Sequence, residues 1–75
     1  MRVEAVGRNV RIYRVMKGLT QSELSLLVKC KPSRISSIET GKHKASVKLL
    51  CLIASILGVG LDDLIKGGVD DASSN

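Results

Sequence analysis

Between Leu19 and Lys44 the chain reads LTQSELSLLVKCKPSRISSIETGKHK, and the start and stop signals packed into this stretch leave room for two short helices, a tight turn between them and a basic loop after them. Thr20 is a good N-cap, and Glu23 follows three residues later, so the two can form a reciprocal capping box. Leu24, Leu27 and Val28 then supply the i, i+3, i+4 apolar stripe of a short amphipathic helix. Pro32 suits the first position of a second helix, where the amide has no intrahelical acceptor and φ is already helical. In that helix Ile35 and Ile38 share one face, while Ser33, Ser36 and Ser37 project from the other. Gly41 is placed to end it in the left-handed conformation. The predicted product is a helix with an apolar back and a front of small hydroxyls and Arg34, able to approach a DNA groove closely.

The rest of the chain adds helices and no strand candidate. A first helix is predicted from about Val3 to Met16, with Val6, Val10, Tyr13 and Met16 near one face. Lys17 and Gly18 end it. A fourth begins after Ser46 as N-cap and carries Leu49, Leu52, Ile53, Ile56 and Leu57, with Leu50, Cys51 and Ala54 widening its apolar arc until Gly58 stops it. A fifth, from Leu61 to Lys66, has Asp62 and Asp63 at the positive end of its dipole. Residues 1–66 thus read as one domain, and 67–75, VDDASSN after Gly67 and Gly68, as a polar tail without a fold of its own.

Taken in order, three groups of residues resemble the Cro/C1-type (XRE) helix-turn-helix family of small phage repressors, restriction-modification controllers and bacterial regulators. They are Leu19-Thr20-Gln21-x-Glu23-Leu24, Pro32-Ser33-x-Ile35-Ser36-x-Ile38-Glu39-x-Gly41 and Leu57-Gly58-Val59-x-Leu61-x-x-Leu64, and the likeness covers most of residues 7–66. It implies an all-α, five-helix, lambda-repressor-like DNA-binding domain with the helix-turn-helix at helices two and three. It also implies that Thr20 and Gln21 hold a DNA phosphate through a backbone amide and a side-chain amide at the start of helix two, and that Arg14 and Glu39 form a structural ion pair. Two positions depart from the pattern. Lys29 stands where the family often has glycine, which means local strain or a different turn, and Lys31 stands where a serine or threonine N-cap is usual.

Charge and composition fit a polyanionic partner. Twelve Lys and Arg against seven Asp and Glu give a net charge of +5, and Asp70 and Asp71 both fall in the tail, so the body is more basic still. Such a body binds phosphates with release of counterions. Tyr13 is the sole aromatic residue, so the stacking platforms of single-strand binders are missing and duplex DNA is the expected target. The apolar run from Leu49 to Leu61 is shorter than the ~20 residues that span a bilayer. No charged leader with an apolar segment opens the chain, and a cytoplasmic location is expected. Cys30 and Cys51 are expected to be reduced thiols. Together with His43 they lack paired zinc-ligand spacing, so neither a metal nor another cofactor is expected. No phosphate loop and no nucleophile with a base is visible, and the chain is not expected to be an enzyme.

The expected readout residues are Ser33 and Ser37, which share a face at i, i+4, together with Arg34, long enough for guanine O6 and N7 or for a phosphate. Lys31 serves either a base or the backbone. Lys42 and Lys44, in the loop past Gly41, are expected to grip another phosphate. One recognition helix gives little specificity, so a homodimer is expected, presenting two helices ~34 Å apart to a near-palindromic operator. The apolar arc of helix four, with Val59, Leu61, Leu64 and Ile65, is either its interface or simply core. Two functions follow: a sequence-specific transcriptional regulator, repressor or activator according to operator position, or an antitoxin-like module that masks another protein. No small-molecule ligand or membrane is expected as a partner.

Overall fold

A computed structural model, which describes residues 2–66, contains five α-helices and, among those residues, no strand. They are α1 Val3–Met16, α2 Gln21–Val28, α3 Pro32–Glu39, α4 Val47–Leu57 and α5 Leu61–Ile65. The all-α, five-helix expectation holds. The expected tail, 67–75, lies outside the described residues.

The starts of α2 and α4 and the ends of α1, α3 and α4 have visible local causes. At α2 the capping box is complete: the Glu23 amide donates to Thr20 Oγ1 at 3.0 Å and the Thr20 amide donates to Glu23 Oε1 at 2.8 Å. Thr20→Ala is expected to lower stability by about 1 kcal/mol, read as a shift of the urea midpoint without change in slope. An unchanged midpoint would show that tertiary packing alone holds this end. Ser46 caps α4 by accepting from the Leu49 amide at 3.1 Å. The first, third and fourth helices give way to glycines in the left-handed region, Gly18, Gly41 and Gly58.

Burial defines a single core in which every helix takes part: Val10 from α1, Leu24 from α2, Ile35 and Ile38 from α3, Leu50 and Ile53 from α4, and Leu64 from α5. The short pair α2 and α3 packs on itself, α1 lies against α3 and α5, and α4 closes the far side of α2. The amide of Asn9 reaches across from α1 and donates to the carbonyls of Leu64 at 2.9 Å and Lys66 at 2.7 Å, holding the last turn of α5.

Several assignments of faces need correction. Met16, expected on the inner face of α1, is 75% exposed, because the chain turns away at Gly18 before a partner covers it. Leu27 is 52% exposed: on so short a helix Leu24, Ser25 and Val28 already fill the buried face. In α4 the inner residues are Leu50, Ile53, Ala54 and Leu57, whereas Leu52 is 47% exposed and Cys51 also faces outward. Leu64, offered as interface or core, is core, with no exposed surface.

Candidate nucleic-acid interface

The turn between α2 and α3 is tight because Lys29 adopts φ 59°, ψ 49°. That left-handed residue lets the Cys30 amide donate back to the Ser25 carbonyl at 2.9 Å, so the expected turn forms without glycine and carries the steric strain of a Cβ in this region. Lys31 follows as N-cap of α3 in extended conformation. It makes no side-chain cap, and its carbonyl instead receives the Arg34 amide at 2.9 Å. Its ammonium is therefore free of the helix end.

At the other end of α3 the Thr40 hydroxyl donates to the carbonyls of Ser36 and Ser37 at 3.1 and 3.3 Å. Gly41, at φ 78°, then folds the chain back, and the amides of Lys42 and His43 both donate to the Ser37 carbonyl, at 2.9 and 3.2 Å. The loop thus lies beside the front of α3. Between them is a concave notch of about 390 Å³ lined by Cys30, Lys31, Ser33, Arg34, Ser37 and His43.

All four residues expected to read bases line this notch, and Cys30 and His43 join them. Among the described residues the side chains of Lys31, Ser33, Arg34, Ser37 and His43 have no hydrogen-bond or ion-pair partner. A wall of unpartnered cations and hydroxyls over small residues is a receptor for groups that carry acceptors. Cys30 contributes a small wall only: burial pushes its thiol above its ordinary pKa, against the opposing pull of the Arg34 guanidinium, so it stays protonated and unreactive near neutral pH. Ser36, grouped with the other serines in the sequence, lies outside the notch.

The residues expected to hold phosphates are arranged differently. Lys42 and Lys44 are exposed beside the notch. The Thr20 amide is taken by Glu23, and the Gln21 side-chain amide donates to Glu39 Oε1 at 3.0 Å, so both groups named for a phosphate have internal partners. The amides that a helix of this register leaves open are those of Gln21 and Ser22 in the first turn.

Where α1, α2 and α3 meet, a polar network ties the helices together. Glu39, buried at the end of α3, receives Arg14 of α1 through two bonds, Nε to Oε2 at 2.6 Å and Nη2 to Oε1 at 3.1 Å. Arg14 Nη1 also donates to the Leu19 carbonyl at 2.6 Å. One carboxylate therefore ties α1, α2 and α3 together, as the resemblance implied for Arg14 and Glu39 and as nothing in the sequence indicated for Gln21. Among the described residues no cluster of His, Cys, Asp or Glu is placed to hold a metal ion, and no helix is long and apolar enough to cross a membrane.

A helix pair crossed over a tight turn, with a cationic front on the second helix, defines a helix-turn-helix domain. The family described as helix-turn-helix (HTH_3) matches residues 10–64, and the chain belongs to this XRE-type family of DNA-binding transcriptional regulators, which is not a family of enzymes. An uncharacterised HTH-type transcriptional regulator of Methanocaldococcus jannaschii is 34% identical over 55 residues, 73% of this chain and 83% of that protein. Among solved structures, the clp gene regulator ClgR of Corynebacterium glutamicum superimposes with a TM-score of 0.84 at 30% identity, over 99% of this chain and 76% of that one. SinR, a master regulator for biofilm formation solved in complex with DNA, gives 0.77 at 29% identity, over 81% of this chain and 98% of that one.

Proposed function

We propose that the protein is a cytoplasmic, sequence-specific regulator that binds double-stranded DNA as a homodimer on a near-palindromic operator, with α3 seated in the major groove. The observation that carries this reading is the notch, where Lys31, Ser33, Arg34 and Ser37 present unpartnered donors at the start and along the front of α3, whose hydroxyls leave Arg34 as its long side chain. Ser33, Arg34 and Ser37 read base edges, and Lys31 reaches a base or a phosphate. Phosphates are held on one side by Lys42 and Lys44, and on the other by the first-turn amides of α2 with the remaining amide hydrogen of Gln21, where the helix dipole favours an anion. The dimer forms on the outward side of α4 and α5, where Val47 and Leu52 are exposed and Leu61 and Ile65 are half-buried.

The test is selection of bound sequences from a random duplex library, followed by affinities for the enriched site. An inverted repeat is expected, with a steep fall of affinity as salt rises. Arg34→Ala is expected to weaken binding to that site by about 1–3 kcal/mol. The variant should melt as the parent does, because Arg34 is exposed and unpartnered. Enrichment of no sequence would leave only charge-driven binding and would favour a protein partner instead.

A further inference from the structure

We infer that His43, outside the recognition helix, is a further specificity-determining residue and reads a base edge at the end of the site served by Ser37. The inference rests on the DNA-binding reading and goes beyond it by extending base recognition from the helix into the loop.

Its first support is position. The left-handed Gly41 and the two amides gathered on the Ser37 carbonyl hold residues 42 and 43 against the last turn of α3, and His43 lines the same notch as Lys31, Ser33, Arg34 and Ser37. Lys42 and Lys44, its neighbours, do not line that notch, so His43 is the loop residue that borders it. The second support is availability: His43 is exposed, and among the described residues its ring has no partner. Third comes chemistry. Lysine and arginine only donate, and they suit guanine O6 and N7 or phosphate oxygens. A neutral imidazole donates from one nitrogen and accepts at the other. Beside Lys31 and Arg34, which only donate, and the freely rotating hydroxyls of Ser33 and Ser37, the planar ring offers nitrogens of fixed direction to the exocyclic amine of adenine or cytosine, or to guanine. Its short, two-torsion side chain also loses less freedom on contact than a lysine would.

The library selection is repeated with His43→Ala, with Lys42→Ala as a phosphate-contact control, and affinities are measured for the parent site and its single-base variants across a salt series. For His43→Ala the expected result is loss of preference at one base position in each half-site, with roughly 5- to 100-fold weaker binding to the parent site, equal binding to site variants at that position, and an unchanged salt slope. For Lys42→Ala the expected result is uniform weakening across sequences and a shallower slope. His43→Ala behaving like Lys42→Ala would make His43 a phosphate contact and overturn the inference, as would a consensus and affinity identical to the parent's. Failure of the wild-type protein itself to enrich any site would overturn the DNA-binding reading and this inference with it.

Discussion

Replacing Glu39 with alanine is expected to destabilise the domain by about 3–5 kcal/mol, the largest effect of any single substitution considered for this chain. The reason is what stays behind. Arg14 is 9% exposed, and without Glu39 its guanidinium would keep the Leu19 carbonyl as its remaining acceptor while its charge stayed in the protein. Gln21 would lose its acceptor in the same step. A chain of this length gains only a thin margin from its core, on the order of 5 kcal/mol, so the variant should be largely unfolded at physiological temperature. Because the pair is buried, added salt should recover little of the loss.

The loss is expected to come from orphaning a charge rather than from forgoing an attraction. The double variant Arg14→Met, Glu39→Leu removes both charges and fills the space with apolar atoms, and it is expected to lie within about 2 kcal/mol of the parent. The residual cost comes from the Leu19 carbonyl and the Gln21 amide, each left with one bond fewer. Urea unfolding of parent, single and double variants measures both numbers. If the double variant lost as much as Glu39→Ala, the network's value would lie in those neutral bonds, and the buried-charge account would be wrong.

Local signals carried most of the fold into view, and the failures share one cause. Thr20 with Glu23, Pro32, Ser46, and Gly41 and Gly58 act within a few residues of themselves, so the boundaries they set are legible without tertiary information. Faces are another matter where a helix is apolar almost all round. In α4 periodicity offers Leu49, Leu52 and Ile56 as readily as Leu50 and Ala54, and only the placement of the neighbouring helices decides that Leu50 goes in, toward Val6 and Ile38, and Leu52 out. Arg14 and Glu39 have no periodic signature, and their pairing was reached through family resemblance alone. The candidate readout residues Ser33, Arg34 and Ser37 were legible as a group because the front of α3 follows directly from the helical repeat. His43 was not, since its place in the notch depends on the backward fold after Gly41, a matter of dihedral angle rather than residue type. Gln21 was read for its side-chain amide, whose internal partner lies at the far end of another helix.

Gly7→Ala is expected to destabilise the domain by about 3 kcal/mol, although helix propensity taken alone predicts the opposite sign. An alanine in the interior of α1 should gain about 1 kcal/mol over glycine, since it restricts the unfolded chain more and fits the helix well. The structure leaves no space for the methyl group. A Cβ at position 7 would stand 2.0 Å from the Ile38 carbonyl oxygen and 2.9 Å from that of Glu39, and both are backbone atoms that no rotamer change can move. Helices α1 and α3 would have to separate, and overpacking of this kind typically loses 1–3 kcal/mol, with the upper end apt for so deep an overlap. The damage would not stay local. Gly7 and Arg14 are two turns apart on one face of α1, and both meet the end of α3, so a displaced α1 also stretches the bonds from Arg14 to Glu39. A melt of Gly7→Ala beside Gly18→Ala separates the causes. At Gly18 there is open space but φ is +80°, so loss there would reflect conformational strain alone. Stabilisation by Gly7→Ala would mean that α1 and α3 do not approach this closely, and the orientation of α3 would then need another explanation.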